Sequence, residues 1–214
     1  LLEDEARLKP WKSRLWIAPP PFVPQDDVRP WQELLSRLSH AGVKGGACAT
    51  LGHAGLFRDT FTLVADASCG ILNAAAQRAV LGNGFSRFVY SLEDDYLNVK
   101  AAPSNRGIAC LFAYPPLFVS RIHPAVRPHR PFGDPESNKF VMVERSGLWH
   151  CLPEKPFAIT HRRAKLSEAG IHDFLLDLRF CRPDPGFLGA LLAAFKNETR
   201  LPGSSVFNFK AGLK

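Results

Sequence analysis

The stretch that decides the fold runs over residues 61–92: FTLVADA (61–67), then ILNAAAQRAVL (71–81), then GNG (82–84), then SRFVYSL (86–92). The first segment is apolar without a break at Leu63, Val64 and Ala65, the pattern of a strand covered on both faces. The second is Ala-rich and of helix length, and Gly82-Asn83-Gly84 ends it with residues that tolerate positive φ. The third is again rich in aromatic and β-branched residues. Strand, helix and strand in this order form a crossover unit, which joins parallel strands in a right-handed sense.

The same rhythm extends upstream. SRLWIA (13–18) reads as a strand closed by Pro19, Pro20 and Pro21, which cannot continue a ladder. Over residues 30–40, Trp31, Leu34, Leu35 and Leu38 recur on one helical face, and Gly42 caps that helix. VKGGACAT (43–50) is the next strand, its two glycines suited to close approach of a neighbour, with Gly52 and His53 at its end.

Downstream, Glu93-Asp94-Asp95 opens a helical turn, where carboxylates suit the positive end of the helix dipole. GIACLFAY (107–114) is a strand stopped by Pro115 and Pro116. Residues 121–139 hold four prolines, three arginines and two histidines and read as a long irregular loop. FVMVE and LWHCL then flank Arg145-Ser146-Gly147, a three-residue turn within a β-hairpin over 140–152. A strand at 157–160 resumes the parallel rhythm, followed by a helix over 162–169 ended by Gly170, the strand IHDFLLDL (171–178), and a last helix over 185–198.

The expected fold is α/β: a single domain over 1–214 with a parallel, TIM-barrel-like (β/α) sheet and an inserted β-hairpin. The strand candidates fall short of the eight of a full barrel, so the barrel is incomplete and lacks its N-terminal part, or the sheet is open. No GxGxxG or GxxxxGK[ST] follows a strand, which argues against a dinucleotide fold or a P-loop.

Lys and Arg outnumber Asp and Glu by 27 to 20, a net charge of +7 that favours an acidic partner, nucleic acid included. The excess is diffuse, however. Its densest run, 121–130, is broken by prolines and lacks the interleaved aromatic rings on which bases stack, which weighs against a nucleic-acid groove. Five cysteines stand 21, 41, 41 and 30 residues apart without CxxC spacing, the pattern of reduced thiols in a cytoplasmic protein rather than of a zinc site or disulfide framework. No run approaches the ~18 apolar residues of a membrane span, so no membrane partner is expected.

Between residues 51 and 95 the order GHAGLF, VADASCGILNAAAQ and FVYSLEDD resembles the collagenase-like peptidase family called U-32. That family carries a Gly-His-Leu-like turn, an Asp followed by an Asn at a helix start, and a strand ending in Ser-x-Glu. The counterparts here are Gly52-His53, Asp66 with Asn73, and Ser91-Leu92-Glu93. FAYPPLFVSRI is similar to the family's strand into a Pro-Leu-Met/Phe-x-Ser-Arg turn, and NFKAGL to a family ending, so the resemblance covers most of the chain from about residue 15. It implies a barrel fold and, nominally, a peptidase or hydrolase acting on an unknown substrate. Many members carry four cysteines just after the strand matching GIACLFAY, and in some these bind an iron-sulfur cluster used in hydroxylation chemistry. Here that turn reads Pro115-Pro116-Leu117-Phe118, so no cluster is expected, and no other cofactor.

In a parallel barrel the C-terminal ends of the strands line the functional mouth, which selects Gly52, His53, Asp66, Asn73, Ser91, Glu93, Tyr114 and Asp177. For a hydrolase, Glu93 or Asp66 would activate water, His53 would transfer protons and Asn73 would orient the substrate. Gly52, Ser91, Tyr114 and Arg121 complete the substrate-binding set. Structural alternatives stand beside these roles: His53 and Asp66 as helix caps, Glu93-Asp94-Asp95 as a helix-start charge cluster, and Arg121 as a loop residue. Asn73 stands on an Ala-rich helix face, where Asn is a poor helix former. His150 and Cys151 are adjacent on a strand and point to opposite faces, so they do not form a nucleophile and base pair. The alternatives in function are a non-catalytic subunit or binding protein of the same fold, with a protein partner completing the barrel, or an accessory in RNA or quinone hydroxylation.

Overall fold

The computed structural model describes residues 9–57, 60–181 and 184–210. The expected family-like ending therefore lies partly outside the described residues. The fold is α/β with an incomplete, barrel-like parallel sheet. Strands β1 (Trp16–Ile17), β2 (Gly45–Cys48), β3 (Thr62–Ala65), β4 (Arg87–Val89) and β5 (Gly107–Ala113) pair side by side in chain order, every pair parallel. The chain divides into two compact units, Leu1–Ser91 with Arg106–Ile108, and Leu92–Asn105 with Ala109–Lys214, so β5 begins in the first and continues into the second.

In the first unit, helix α1 (Gln25–His40) links β1 to β2 and buries Leu35 and Leu38, two of the apolar positions its periodicity marks. It starts earlier than the apolar pattern implies, because Asp26 and Asp27 in its first turn favour the positive end of its dipole. Pro30 lies inside it. Its end is a Schellman motif: Gly42, at φ 97°, donates its N–H to Ser39, and Val43 donates to Leu38. The glycines of β2 are required by their surroundings. A Cβ on Gly45 would lie 2.4 Å from the Trp16 ring, and one on Gly46 would lie 2.6 Å from Phe57.

Helix α2 (Ala74–Gly82) connects β3 to β4, and here the expected start at residue 71 is corrected. Asn73 does not stand on the helix face; it is the N-cap, extended in backbone, and its Oδ1 accepts the N–H of Ala76 at 2.9 Å. The local bond between a short amide and the free N–H groups of the first turn sets this boundary.

The second unit holds helices α3 (Tyr96–Ala101), α4 (Arg163–Glu168) and α5 (Pro185–Asn197) and a four-stranded antiparallel sheet. That sheet is formed by β6 (Phe118–Ser120), β7 (Phe132–Gly133), β8 (Lys139–Arg145) and β9 (Leu148–Pro153) in the order β6-β9-β8-β7. The expected hairpin is thus its centre, and part of the expected irregular loop supplies β7. The turn is shorter than expected. Arg145 pairs directly with Leu148, leaving a two-residue loop in which Ser146 and Gly147 have φ of 55° and 71°, the left-handed pair that matches strand twist.

Strand β10 (Phe157–Ala158) corrects the expectation of a resumed parallel rhythm: it runs antiparallel to β5, with Phe157 opposite Ala113 and Ala158 opposite Phe112. The chain reaches β10 from its partner β5 through the antiparallel strands β6 to β9, not through a helical crossover of the kind that joins parallel neighbours. Strand β11 (Asp173–Leu176) also pairs with β5. Against these strands α5 packs Leu191 and Ala194 onto Phe112, Ala158 and Leu201. Full burial of a Leu or Phe side chain contributes about 1.5–3 kcal/mol, so this cluster is a principal support of the second unit. Among the described residues no helix is long and apolar enough to cross a membrane.

Candidate functional site

Parallel pairing aligns the exits of β2, β3 and β4 along one edge of the first unit's sheet. The 3-10 turn Leu51–Leu56 comes after β2 and carries Gly52 and His53; Asp66 comes directly after β3; Ser91 lies two residues beyond β4. Four of the expected site residues therefore share the C-terminal edge of three adjacent strands.

His53 is 6% exposed, and its Nδ1 is buried without a hydrogen-bond partner. Burial lowers its pKa below 6.5, and a hydrogen bond to the Pro21 carbonyl opposes that only in part. The ring is the neutral form that can take up a proton. Asp66 is half-buried, and its Oδ1 accepts the Ala67 N–H at 2.9 Å, capping the short turn Ala67–Cys69. Its backbone N–H in turn bonds the Cys48 carbonyl at 2.8 Å. Ser68 Oγ donates to the Ala49 carbonyl at 2.8 Å, which fastens this turn to the end of β2. Ser91 is buried and Gly52 exposed.

The sequence reading missed a pair of thiols here. Cys69 Sγ donates to the Cys48 carbonyl at 3.3 Å, and desolvation pushes Cys48 up to about 12 and Cys69 up to about 11, with Asp66 adding to both shifts. These thiols stay protonated at neutral pH.

In the second unit, Glu93 is exposed while its neighbour Asp94 is buried. Burial raises the Asp94 pKa even though its Oδ1 accepts from Asn98 Nδ2 at 2.6 Å and from the Asp95 N–H at 2.9 Å. Asp95 caps α3 through the Asn98 N–H, as expected of a helix-start cluster. Tyr114 follows β5 and is half-buried, with its pKa raised by burial and then by Cys181. Arg121 is exposed just after β6.

Asp177, at the exit of β11, is the best-held carboxylate of the expected set: Arg179 clasps it from two residues on. Arg145 reaches across from β8, its Nη1 donating to the Arg179 carbonyl and its guanidinium lying 5.7 Å from the Phe180 ring centre. His150 packs against the same ring at 4.8 Å between centroids. It is 3% exposed with Nδ1 unpartnered, and its pKa is lowered by burial, an effect that a backbone hydrogen bond at Arg145 opposes and the charges of Arg145 and Arg179 reinforce. Cys151, its neighbour, instead joins Met142 and Trp149 in a separate apolar cluster, as alternation along a strand requires. The signal for the Asp177–Arg179 pair was present in LDLR (176–179), because residues two apart on an extended segment share a side.

Cys110 donates to the Phe112 carbonyl, Cys151 is enclosed by apolar groups, and among the described residues no three of His, Cys, Asp and Glu are placed to hold a metal. Comparison with known protein families, curated proteins and solved structures finds no match for this chain.

Proposed function

We propose that the chain is the C-terminal part of a U-32-like barrel protein with hydrolase-type activity, nominally a peptidase. The observation that carries this reading is that the family-like residues Gly52-His53, Asp66 and Ser91 fall, in order, after successive parallel strands of one sheet. His53 suits the role of proton acceptor, because burial keeps it neutral with Nδ1 unpaired. Glu93, Tyr114 and Arg121 stand in the second unit, and their roles, Glu93 as second acid-base group and Tyr114 and Arg121 as substrate contacts, come from the sequence reading alone.

The test is a panel of unstructured peptides and activated esters incubated with the full-length protein. Hydrolysis that drops about 10²–10⁴-fold in His53→Gln is the expected result. Full turnover in both His53→Gln and Glu93→Gln would remove the assignment.

A second reading, a non-catalytic subunit or binding protein of the same fold, is favoured by the use made of two polar side chains. Asp66 and Asn73 each give a side-chain oxygen to a backbone N–H, of Ala67 and Ala76, and so hold the scaffold itself. Co-purification of a second protein that completes the sheet, with no turnover by either, would favour this reading. We further propose that this chain carries no iron-sulfur cluster and resides in the cytoplasm, in keeping with cysteines that lack CxxC spacing. Stoichiometric iron and sulfide after anaerobic purification would overturn the former. A salt-sensitive shift of RNA would support the accessory reading instead.

A further inference from the structure

We propose that the groove at the open end of the β8–β9 hairpin binds a small anion carrying a flat ring, a nucleoside monophosphate being the type that fits its chemistry. None of the residues in the hydrolase reading contributes to it. The cavity, of about 520 Å³, begins where the hairpin ladder ends, at the pair Phe140 and Pro153, and extends to Ser205 and Phe207. Pockets of a few hundred Å³ with apolar walls and a few convergent polar groups are the usual form of a small-molecule site.

Its walls are fixed in advance. On one side Asp134 ties the loop together: its Oδ1 accepts from the Glu136 and Asn138 N–H groups at 2.9 Å each, and its Oδ2 from Asn138 Nδ2 at 2.8 Å. On the other, Ser205 is held by backbone bonds to Pro156 and Ala158, both 2.8 Å, and its Oγ accepts the Phe207 N–H at 3.2 Å. Both walls also carry a non-glycine residue in the left-handed region, Ser137 at φ 66° and Phe207 at φ 41°. For a residue as bulky as Phe this is costly, and such conformations gather at ligand-holding sites.

The lining chemistry selects the ligand. Lys139 and Lys155, both exposed, supply positive charge for an anionic group. Phe140 and Phe207, each half-buried with its ring against a second ring (Phe132 at 5.8 Å and Phe157 at 5.9 Å between centroids), add aromatic lining for a planar group, which a free phosphate would leave unused. Glu154 adds an acceptor suited to sugar hydroxyls, and repels a ligand that is anionic along its whole length. Ring, hydroxyls and one anionic end together describe a nucleoside monophosphate; an aromatic carboxylate shares the ring and the charge.

Calorimetry with the full chain would compare AMP, adenosine, inorganic phosphate and benzoate. AMP is expected to bind at least tenfold more tightly than adenosine or phosphate alone. Lys139→Ala with Lys155→Ala should weaken AMP at least tenfold while leaving adenosine unchanged, and Phe207→Ala should weaken both. Because the Phe207 change alters a strained position, its thermal unfolding is measured alongside, and the lysine pair, being exposed, carries the test if that variant does not fold. Benzoate binding as tightly as AMP would support the shared chemistry and identify a carboxylate as the source. No binding of AMP or benzoate at millimolar concentration, or AMP binding indifferent to the lysine pair, would overturn the proposal.

Discussion

Arg179 closes on Asp177 through two of its nitrogens, Nε reaching the carboxylate oxygens at 3.0 and 2.8 Å and Nη2 reaching Oδ2 at 2.6 Å. The carboxylate side is nearly enclosed, at 10% exposure, whereas the guanidinium side is 43% exposed. Removing the arginine therefore leaves a desolvated charge with fewer donors. Arg179→Ala should cost about 1–3 kcal/mol in urea unfolding. Adding Asp177→Asn should recover part of it, since the orphaned charge goes too; a cost under about 0.5 kcal/mol, as for an ordinary surface pair, would contradict this account.

Asn73 offers a clean separation of scaffold from site. If its amide serves only to cap α2, Asn73→Ala should lower stability by about 1 kcal/mol and Asn73→Asp or Asn73→Ser should restore it. A substrate contact behaves differently: activity would fall in the Asp and Ser variants as well, with stability intact. Thermal unfolding and turnover, measured on the same three proteins, distinguish the two.

Acid should weaken the fold through its buried imidazoles. His53, His150 and His161 all have pKa values lowered by burial. The unfolded chain takes up protons as pH falls through about 6.5, while the folded chain keeps these rings neutral. Their contribution is complete above that value and is lost as pH falls through the lowered folded pKa values. Urea midpoints should be lower at pH 5 than at pH 7.5, and the difference should shrink in His150→Phe. Asp94 acts in the opposite sense, its raised pKa favouring the folded state more at low pH. The comparison between wild type and His150→Phe cancels that contribution.

The thiols at the ends of β2 and β3 should be slow to alkylate. Cys48 at about 12 and Cys69 at about 11 present little thiolate at pH 7.5, so iodoacetamide should label them far more slowly than it labels the denatured chain. Labelling of half-buried Cys69 should accelerate as pH approaches 11. The unfolded thiols ionise from about pH 9, so stability also declines with rising pH from there through the folded values. Rapid labelling of both at pH 7.5 in the folded protein would contradict this environment.

Local pattern carried the strands and helices that were read correctly. The unbroken Leu63-Val64-Ala65 run, the face marked by Leu35 and Leu38, and the stop at Gly42 are each decided within a few residues, and the structure agrees with all of them. Strand ends were legible for the same reason, so Gly52, His53, Asp66, Ser91 and Tyr114 were rightly placed just beyond strands. What escaped depends on contacts distant in sequence or on one hydrogen bond. The direction of β10 is fixed by pairing with Ala113 and Phe112, the helix start at Ala74 by one amide, and the burial of Asp94 beside exposed Glu93 by the turn into α3. Arg145 meets Arg179 only because β8 folds back in the antiparallel sheet, a relation that neither residue's neighbours in sequence disclose.

The two-residue loop at Ser146 and Gly147 has a kinetic consequence. Six facing pairs, from Phe140 with Pro153 to Arg145 with Leu148, can zip outward from a loop whose closure costs little chain entropy. Such hairpins form in about 1–10 μs, whereas each parallel pair from β1 to β5 must await a crossover segment folding between its members. During refolding, amide protons of β8 and β9 should thus become protected from exchange before those of β2 and β3, and the order of assembly would run opposite to the order of the chain.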